Sequence, residues 1–302
     1  MTTAAPHGVI CPLATPLTED EQVDVSALRR LVDRLVPELD GLLVLGSSAE
    51  YALLTPSVAE QVVDTVIEQV SGRIPIYVGV GDTGTQRAQT NIRRLVRPGI
   101  SAVAVTSGFY YPAADQQSLI RHFREISANA EVPVILYNIP QNTAGNLVAD
   151  SVAELAALPN VIGIKDSWGD FIQFQAYLNQ TPDDFAVLQG REELTCAGRW
   201  MGSAGIVSAL ANLAPGLLRA VLEAVDRGDA PGARDAQRAV DAAAAIFAHG
   251  HWLSVLKAAI AELGYGSGLT ARPLPVLNST QRDAVRAVLH QNSILPTAGA
   301  VT

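Results

Sequence analysis

Short apolar runs, most of them rich in β-branched residues, recur along the chain as far as Ser208. Each run is too short for a helix, and most are bounded by Gly, Pro, Asp or Asn, which is typical of buried strands. The segments between them show helical spacing of apolar residues, as in Leu28, Leu31, Val32 and Leu35. The pattern predicts eight strands: Gly8–Ala14, Gly41–Leu45, Pro75–Gly79, Ser101–Thr106, Val132–Asn138, Val161–Lys165, Phe185–Leu188 and Gly205–Ser208.

The alternation of strands and helices predicts the fold class, because it builds right-handed βαβ units and a parallel sheet. Eight units favour an α/β fold of the closed (β/α)8 or TIM barrel type, with an open doubly wound sheet as the main competitor. After Pro215 the strand pattern stops. Four helices are predicted there: Leu217–Val225, Ala233–Phe247, Trp252–Leu263 and Thr280–His290, the last opened by a capping box of Thr280 and Asp283. We therefore expect a catalytic barrel over residues 1–225 and a helical extension over residues 226–302.

The composition of the 302 residues narrows the class of partners. With 30 acidic residues against 21 basic ones, the net charge is −9, which argues against a nucleic-acid or membrane partner. The longest uncharged run, Trp200–Leu218, is interrupted by Gly and Pro and does not predict a membrane span. Two cysteines, Cys11 and Cys196, together with a start that lacks an export signal, predict a soluble protein of the reducing cytoplasm.

The chemistry of a barrel lies at the C-terminal ends of its strands, which draws attention to Lys165 at the end of the run VIGIK. Lysine is scarce here, because the 21 basic residues include only Lys165 and Lys257. An amine desolvated at a strand end is held neutral, as attack on a ketone to form a Schiff base requires. The alternative is a lysine that reaches solvent or pairs with Asp166. Lys257 lies in a predicted helix, where we expect a structural role with its stem along apolar surface.

Three further groups follow predicted strands. Tyr137 ends the run VPVILYN, where its hydroxyl either serves an imine intermediate and relays a proton or lies at the rim of a packed ring. The hydroxyls and backbone N–H groups of residues 46–48 suit a carboxylate, although a capped turn is the commoner use of such a sequence. Tyr110 and Tyr111 stand in a loop where packing, a subunit contact and a site role are all open.

Two apparent cofactor signals fail on their context. Residues 79–84 fit G-x-G-x-x-G, but the strand that follows does not end in the acidic residue that a dinucleotide site needs for the ribose. His249 and His251 have no carboxylate or cysteine close by in the sequence, so they do not predict a metal site. We expect no metal and no cofactor.

Five segments together resemble one known family: CPLATPL near the start, GSSAE after the second strand, YNIP, GIKDS and GSAGIVSALAN. The chain is similar, over nearly its whole length, to the dihydrodipicolinate synthase / N-acetylneuraminate lyase family of class I, pyruvate-dependent aldolases. The joint spacing of YNIP and GIKDS is the specific part of this resemblance. It implies a (β/α)8 barrel with a C-terminal helical extension, usually a homotetramer, that works without cofactor or metal.

The resemblance also implies a site. Lys165 would form the Schiff base with the 2-oxo group of a pyruvate unit, and Tyr137 would move the proton. Ser47 and Ser48 stand where the family often has paired threonines that bind the carboxylate and link the tyrosines. Tyr110, or alternatively Tyr111, would reach the site of a neighbouring subunit. The remaining positions expected to bind substrate are Gly46, Asn142, Trp168, Gly190, Ile206 and Ser208.

Departures from the family pattern bear on the substrate. Asn142 stands two residues after YNIP, where dihydrodipicolinate synthases place an arginine, and an amide cannot replace a bidentate guanidinium. Asn142 with Thr143 looks more like the branch of 4-hydroxy-2-oxoglutarate aldolases. Ala49 replaces a usual glycine, and Trp168 would narrow the mouth if it faced the pocket.

The predicted function is a Schiff-base lyase that makes or breaks a C–C bond to pyruvate, with a 2-oxo acid such as a 4-hydroxy-2-oxo acid and an aldehyde as its small-molecule partners. The alternatives are a 4-hydroxy-tetrahydrodipicolinate synthase with an atypical site, a 2-oxo-3-deoxy sugar-acid dehydratase and, outside catalysis, a pyruvate-binding pseudoenzyme. A lysine kept in an apolar strand at a cost in stability argues against the pseudoenzyme.

Overall fold

Eight parallel strands are joined edge to edge in chain order, and the last strand pairs with the first. The structure, a computed structural model, describes residues 5–295. This closed barrel confirms the predicted (β/α)8 fold and excludes the open sheet. The strands are β1 (Gly8–Pro12), β2 (Gly41–Val44), β3 (Ile76–Gly79), β4 (Ala102–Thr106), β5 (Val134–Asn138), β6 (Val161–Asp166), β7 (Ala186–Gln189) and β8 (Gly205–Val207).

Each observed strand falls within two residues of its predicted bounds, because nearly every strand residue is buried and the apolar runs mark that burial. The largest differences are two residues, and β1 illustrates one of them. The chain was expected to stay in the strand as far as Ala14, but β1 ends at Pro12. The side chain of Asn212 replaces the strand partner there, since it donates to the Pro12 carbonyl at 3.0 Å and accepts from the Ala14 N–H at 3.0 Å.

Helices surround the barrel and continue beyond it. In α1 the residues Leu28, Leu31, Val32 and Leu35 are fully buried against the strands, as their spacing predicts. The α-helices are α1 (Val25–Leu35), α2 (Pro56–Val70), α3 (Thr85–Leu95), α4 (Gln116–Asn129), α5 (Pro140–Thr143), α6 (Ala149–Ala156), α7 (Phe171–Gln180), α8 (Thr195–Trp200), α9 (Pro215–Asp226), α10 (Ala230–Ala244), α11 (Trp252–Glu262) and α12 (Ser279–Gln291).

The core has two layers, one between strands and helices and one inside the barrel. The inner layer is an apolar plug contributed by seven of the strands, and it closes the barrel below its C-terminal mouth. Side chains that point inward above this plug therefore face the mouth. The plug consists of Ile10, Leu43, Tyr77, Ala102, Ala104, Ile135, Leu188 and Val207.

The G-x-G-x-x-G sequence serves the packing of strand ends. A Cβ atom on Gly79 would lie 2.1 Å from the Leu45 carbonyl oxygen, and one on Gly81 would lie 2.2 Å from Thr106 Oγ1. Glycine is therefore required where β3 and its loop pass these neighbours.

The segment predicted as a C-terminal extension contains α10, α11 and α12, with a 3-10 turn at Ala245–His249. The predicted capping box at Thr280 and Asp283 is wrong by two residues. The box is formed by Asn278 and Gln281, because the Asn278 side chain accepts from Gln281 N at 2.9 Å and the Gln281 side chain accepts from Asn278 N at 3.1 Å. The division at residues 225 and 226 stays a prediction, and residues 1–4 and 296–302 lie outside the described residues.

Lys257 corrects a second expectation. Its side chain does not run along the surface but is buried, with 3% exposed, and pairs with the Glu50 carboxylate at 2.9 Å.

Cys11 and Cys196 are both free, the first of them fully buried. Within residues 5–295 no single helix is long and apolar enough to cross a membrane, and only two consecutive helical segments bent by 110°, Ala230–His249 and Trp252–Glu262, reach that length and composition together.

Candidate active site

A cavity of about 370 Å³ opens at the mouth of the barrel, above the apolar plug. Strand ends supply its floor and the following loops supply its walls. The extension closes one side. Its lining residues are Pro12, Ser47, Ser48, Tyr137, Ile139, Gln141, Asn142, Lys165, Ser167, Gly190, Arg191, Glu192, Glu193, Val207, Ala209, Phe247 and Trp252.

Lys165 and Tyr137 lie side by side on the floor of this cavity. The two residues are register partners in β6 and β5, and Lys165 also pairs with Leu188 of the inward-facing plug. Partners in neighbouring parallel strands point to the same side, so both side chains face the mouth. The Lys165 side chain is buried, with 6% exposed, and its Nζ lies 4.1 Å from the centroid of the Tyr137 ring. The strand register thus brings an amine and a phenol together.

The phenol of Tyr137 is set up to lose its proton more readily than usual. Burial opposes ionisation, but the positive charge of Lys165 and a hydrogen bond from Ser47 outweigh it and lower the pKa of Tyr137. The Ser47 hydroxyl lies 3.4 Å from the Tyr137 hydroxyl. A phenol beside an amine and a serine can pass a proton between a bound molecule and the protein.

The loop after β2 presents two serines to the cavity. Ser47 and Ser48 form a short 3-10 turn whose hydroxyls line the wall. The turn is enclosed by two non-glycine residues in the left-handed region, Leu45 at φ 56° and Glu50 at φ 59°. Such conformations persist only where the surroundings fix them, and they cluster at functional sites.

Behind the cavity, the outward-facing partners of the same two strands are joined. Asn138 follows Tyr137 and Asp166 follows Lys165, and the Asn138 amide donates to Asp166 Oδ1 at 2.7 Å. The side-chain Oδ1 of Asn138 accepts from Leu147 N at 3.0 Å. Burial raises the pKa of Asp166 to about 6. The strand ends that carry the amine and the phenol are therefore fixed from outside the barrel.

The structure places six of the twelve predicted site residues on the wall of this cavity and six away from it. Those on the wall are Lys165, Tyr137, Ser47, Ser48, Asn142 and Gly190. Of the others, Ile206 packs in the outer core and Gly46 borders a smaller void under Tyr137. Ser208 lies between two lining residues, where its hydroxyl accepts from Leu210 N at 3.1 Å and caps a 3-10 turn. Trp168 does not line the cavity, so the structure gives no support for its narrowing the mouth.

Tyr110 and Tyr111 lie outside the cavity of their own chain. Their side chains are 80% and 77% exposed, and the rings meet edge to face with centroids 4.8 Å apart. Tyr110 is a non-glycine residue at φ 73°, which places it in the left-handed region. Neither tyrosine contributes to the site within one chain.

Several lining residues were not predicted from the sequence. Ser167 and Gln141 follow β6 and β5, and the run Arg191, Glu192, Glu193 follows β7. A charged run directly after a barrel strand is a signal that points to the mouth, and it was available in the sequence. Burial raises the pKa of the Glu192 carboxyl.

Two aromatic walls come from the extension and have no such signal. Phe247, in the 3-10 turn Ala245–His249, and Trp252, the first residue of α11, lie far along the chain from the strand ends, and only the packing of these elements on the barrel brings them to the cavity. A second cavity of about 360 Å³ adjoins the first one and shares Ser47, Asn142 and Trp252 with it. Among the residues that the structure describes, no group of three His, Cys, Asp or Glu side chains is placed to hold a metal ion.

An amine and a phenol lie at the closed end of a polar cavity in a (β/α)8 barrel, and similarity to known proteins shows the class: a lyase of the class I, pyruvate-dependent type. The dihydrodipicolinate synthetase family model matches residues 5–292. The chain belongs to this family, which confirms the resemblance carried by YNIP and GIKDS.

Relatives and solved structures agree with this family assignment. A DapA-like lyase of Halobacterium salinarum, named as uncharacterized, is 33% identical over 296 residues that cover 96% of this chain and 95% of the relative. The 4-hydroxy-tetrahydrodipicolinate synthase of Methanoculleus marisnigri is 32% identical and covers 94% of this chain and 98% of its own. The crystal structure of YagE, a prophage protein of this family from E. coli K12 in complex with pyruvate, superposes with a TM-score of 0.90 at 26% identity, covering 96% of this chain and 99% of YagE.

Proposed function

We propose that this lyase forms an imine between Lys165 and the 2-oxo carbon of its substrate. The observation that carries the proposal is the placement of the Lys165 Nζ, buried at the closed end of a polar cavity and 4.1 Å from the Tyr137 ring. YagE, a member of the same family, has been crystallised in complex with pyruvate. A buried amine that faces a cavity is the group that attacks a ketone.

The proposed reaction is a reversible aldol cleavage. The neutral amine of Lys165 adds to the 2-oxo carbon, water leaves and a protonated imine forms. Tyr137, as phenolate, takes the proton from the 4-hydroxyl group, the C3–C4 bond breaks and its electron pair moves into the imine to give an enamine. The aldehyde departs, C3 of the enamine takes up the proton that Tyr137 holds, which restores the phenolate, and water releases pyruvate and the free amine. The lowered pKa of Tyr137 supports its part in the proton transfers.

The substrate carboxylate has a binding place in the loop after β2. Ser47 and Ser48 line the same cavity as Lys165 and offer hydroxyl donors. In the proposed complex the carboxylate is held there while the 2-oxo carbon lies at the amine. Ser47 then contacts both the carboxylate and Tyr137, whose hydroxyl lies 3.4 Å from the serine oxygen.

We propose a 4-hydroxy-2-oxo acid as the substrate. Asn142 lies on the wall and brings an amide, not a cation, to the cavity. An amide suits a hydroxyl or carbonyl oxygen better than the carboxylate of a second amino-acid substrate. The aromatic walls of Phe247 and Trp252 complete a chamber for the aldehyde portion.

One observation favours a second function, that of a 4-hydroxy-tetrahydrodipicolinate synthase, the activity for which the Methanoculleus marisnigri relative is named. Arg191 lies on the wall of the cavity and supplies a cation that Asn142 lacks. Its guanidinium is shared with Glu193, whose carboxylate lies 3.5 Å away. The carboxylate of a second substrate would have to compete with Glu193 for this arginine.

The proposal includes a second copy of the chain. The exposed pair Tyr110 and Tyr111 buries little surface within one chain, and a cavity next to Ser47 stands open. We propose that the enzyme is a homotetramer in which Tyr110 of one subunit enters the neighbouring site. We also propose that the protein is located in the cytoplasm, because its two cysteines are free.

The decisive experiment is intact-mass spectrometry after incubation with pyruvate and borohydride, beside Lys165→Ala. One reduced adduct in the parent and none in the variant is expected, and the absence of an adduct in both would remove the imine. Release of pyruvate from 4-hydroxy-2-oxo acids, detected by coupling to lactate dehydrogenase, then separates the aldolase from a dehydratase. Consumption of pyruvate with aspartate semialdehyde would favour the synthase instead.

A further inference from the structure

A buried ion pair joins the C-terminal extension to the loop that carries the two serines. Lys257, in α11, places its Nζ 2.9 Å from Oε1 of Glu50, the residue that ends the turn after Ser47 and Ser48. The two side chains are 3% and 0% exposed. Water therefore solvates neither charge to any large extent. Each charge is stabilised instead by the opposite charge and by nearby protein dipoles.

The remaining hydrogen bonds of the pair tie four segments together. Besides Glu50, Lys257 donates to the carbonyl of Thr15, just after β1. The second carboxylate oxygen of Glu50 accepts from the backbone N–H of Ala271, which lies between α11 and α12. The loop after β2 is thus anchored to the loop after β1 and to two parts of the extension.

The loop needs such an anchor because its backbone is strained at both ends. Leu45 and Glu50 both hold positive φ values without being glycine. This conformation is sparsely populated by L-residues and relaxes unless the neighbouring structure fixes it. At Glu50 the fixing contacts are the bonds of its own carboxylate to Lys257 and Ala271.

Stability alone is a weak reason for a buried ion pair. Apolar residues of similar volume often stabilise a core equally well, and the best-supported benefit of a buried pair is a unique conformation. Here the conformation it specifies is that of a loop whose two serines line the same cavity as Lys165 and Tyr137, with the Ser47 hydroxyl 3.4 Å from that of Tyr137.

We propose that Lys257 and Glu50 are positioning residues, which hold the loop of Ser47 and Ser48 in the geometry that receives the carboxylate of the 2-oxo acid. The C-terminal extension then serves the site in two ways. It fixes the loop of Ser47 and Ser48 through this ion pair, and it supplies aromatic walls to the cavity. The inference rests on the proposed function for the identity of the ligand only.

The test compares three variants of the full chain: Glu50→Gln, Lys257→Met and, as the matched control, Arg286→Met. Arg286 of α12 pairs with Glu262 of α11, the helix that also carries Lys257. The pair of Arg286 and Glu262 does not contact the loop of Ser47 and Ser48. The measured quantity is the pyruvate concentration that gives half-maximal imine trapping by borohydride, taken well below the unfolding temperature of each variant. We expect it to rise about 10-fold or more in the first two variants, since a misplacement of about 1 Å at a site costs on the order of 100-fold. The control should match the parent.

A purely structural role predicts a different result. The two variants would then lose thermal stability while their half-saturating pyruvate concentration stayed at the parental value, and that outcome overturns the proposal. The double variant Glu50→Gln, Lys257→Met sharpens the test, because it leaves no unpaired charge in the core. Recovered stability with pyruvate binding still weakened supports the positioning role, whereas recovery of both overturns it.

A second readout separates this inference from the proposed function. If the parent itself traps no pyruvate, the imine proposal fails, and hydrogen exchange of the segment 45–54 then decides the role of the pair. Faster exchange of that segment in Glu50→Gln, with α12 unchanged, supports an anchored loop. Exchange equal to that of the parent overturns the anchoring and the positioning role with it.

Discussion

The barrel mouth and the C-terminal extension each hold one of the two lysines of this chain, and both lysines are buried. Lys257 in the extension is surrounded by acceptors, namely the Glu50 carboxylate and the Thr15 carbonyl. Lys165 in the mouth contacts the face of the Tyr137 ring, and within residues 5–295 no carboxylate lies at ion-pair distance from its Nζ. Burial is thus common to both, while the partners differ.

The difference in partners explains what each amine can do. Burial lowers the pKa of Lys257, but the Glu50 charge opposes this and favours the ammonium, which is a poor nucleophile. Lys165 has a cavity beside it and no fixed counter-charge, so a carbonyl group has room to reach it. Burial is therefore common to both lysines, and Lys165 differs in having an open cavity beside it and no carboxylate partner within residues 5–295.

The largest expected effect comes from substituting each of these two lysines in turn. Lys165→Ala should abolish imine trapping and lower aldol turnover by at least about 10³-fold, because no other group replaces the nucleophile. Lys257→Met should still form the adduct at saturating pyruvate, but it should lose about 3–5 kcal/mol of unfolding free energy, since a buried carboxylate is left unpaired. Mass spectrometry and urea unfolding measure the two quantities. Adduct formation by Lys165→Ala would break the comparison.

Tyr137→Phe tests the neighbour that distinguishes the mouth from the extension. Turnover should fall by about 10²–10⁴-fold, as expected when a general acid–base is removed. Imine trapping with pyruvate should survive, because the nucleophile remains. Because the pKa of Tyr137 is lowered in the parent, the parental rate should rise with pH through this ionisation below the range of an ordinary phenol, and Tyr137→Phe should lack that step. The pH dependence of turnover measures it, and an unchanged profile would exclude Tyr137 as the base.

The sequence predicts the barrel well because parallel strands are buried on both faces. Each strand therefore appears in the sequence as a continuous apolar run with turn residues at its ends. It predicts Lys165 and Tyr137 for the same reason, since each is a polar residue that closes such a run. The register that pairs them follows from barrel closure, and the alternation of side chains then sends Asn138 and Asp166 to the outer face.

The rest of the site depends on contacts that no local pattern encodes. Phe247 and Trp252 reach the cavity through the docking of the extension, and Glu50 finds Lys257 across more than half of the chain. Lys257 has the helical spacing of an ordinary packed residue, so its burial as an ion pair was not predictable from periodicity. Tyr110 illustrates a further limit, because its side chain is 80% exposed and lies outside the cavity of its own chain.

Asp166 should make the free energy of unfolding depend on pH between about pH 4 and pH 7. Its pKa is raised to about 6 by burial, with Asp170 adding to the rise and the Asn138 amide opposing it. The folded state thus favours the protonated form, so this group contributes stability that is full below about pH 4 and is lost as the pH rises through 6. Asp166→Asn should remove on the order of 2 kcal/mol of that dependence.

Urea unfolding of parent and variant at pH 4 and pH 7 gives the difference directly, and Asp183→Asn is the control at an exposed aspartate. A variant whose stability changes with pH as steeply as that of the parent would show that Asp166 titrates at its ordinary value. The prediction sharpens the comparison, because Asp166 follows Lys165 in the sequence but does not line the cavity.

The smallest effect should come from Trp168, which lies 43% exposed and off the cavity wall, in contrast to Trp252 of the extension. Trp168→Ala should change the half-saturating concentration of the 2-oxo acid by less than about twofold, since an exposed side chain with no contact to the ligand contributes little. Trp252→Ala should raise it about 10-fold, because an apolar wall of the aldehyde chamber is lost. Steady-state kinetics of both variants on one 4-hydroxy-2-oxo acid measure the contrast. Equal effects would mean that the loop after β6 closes over the bound substrate, and the mouth would then owe its specificity to the barrel loops as much as to the extension.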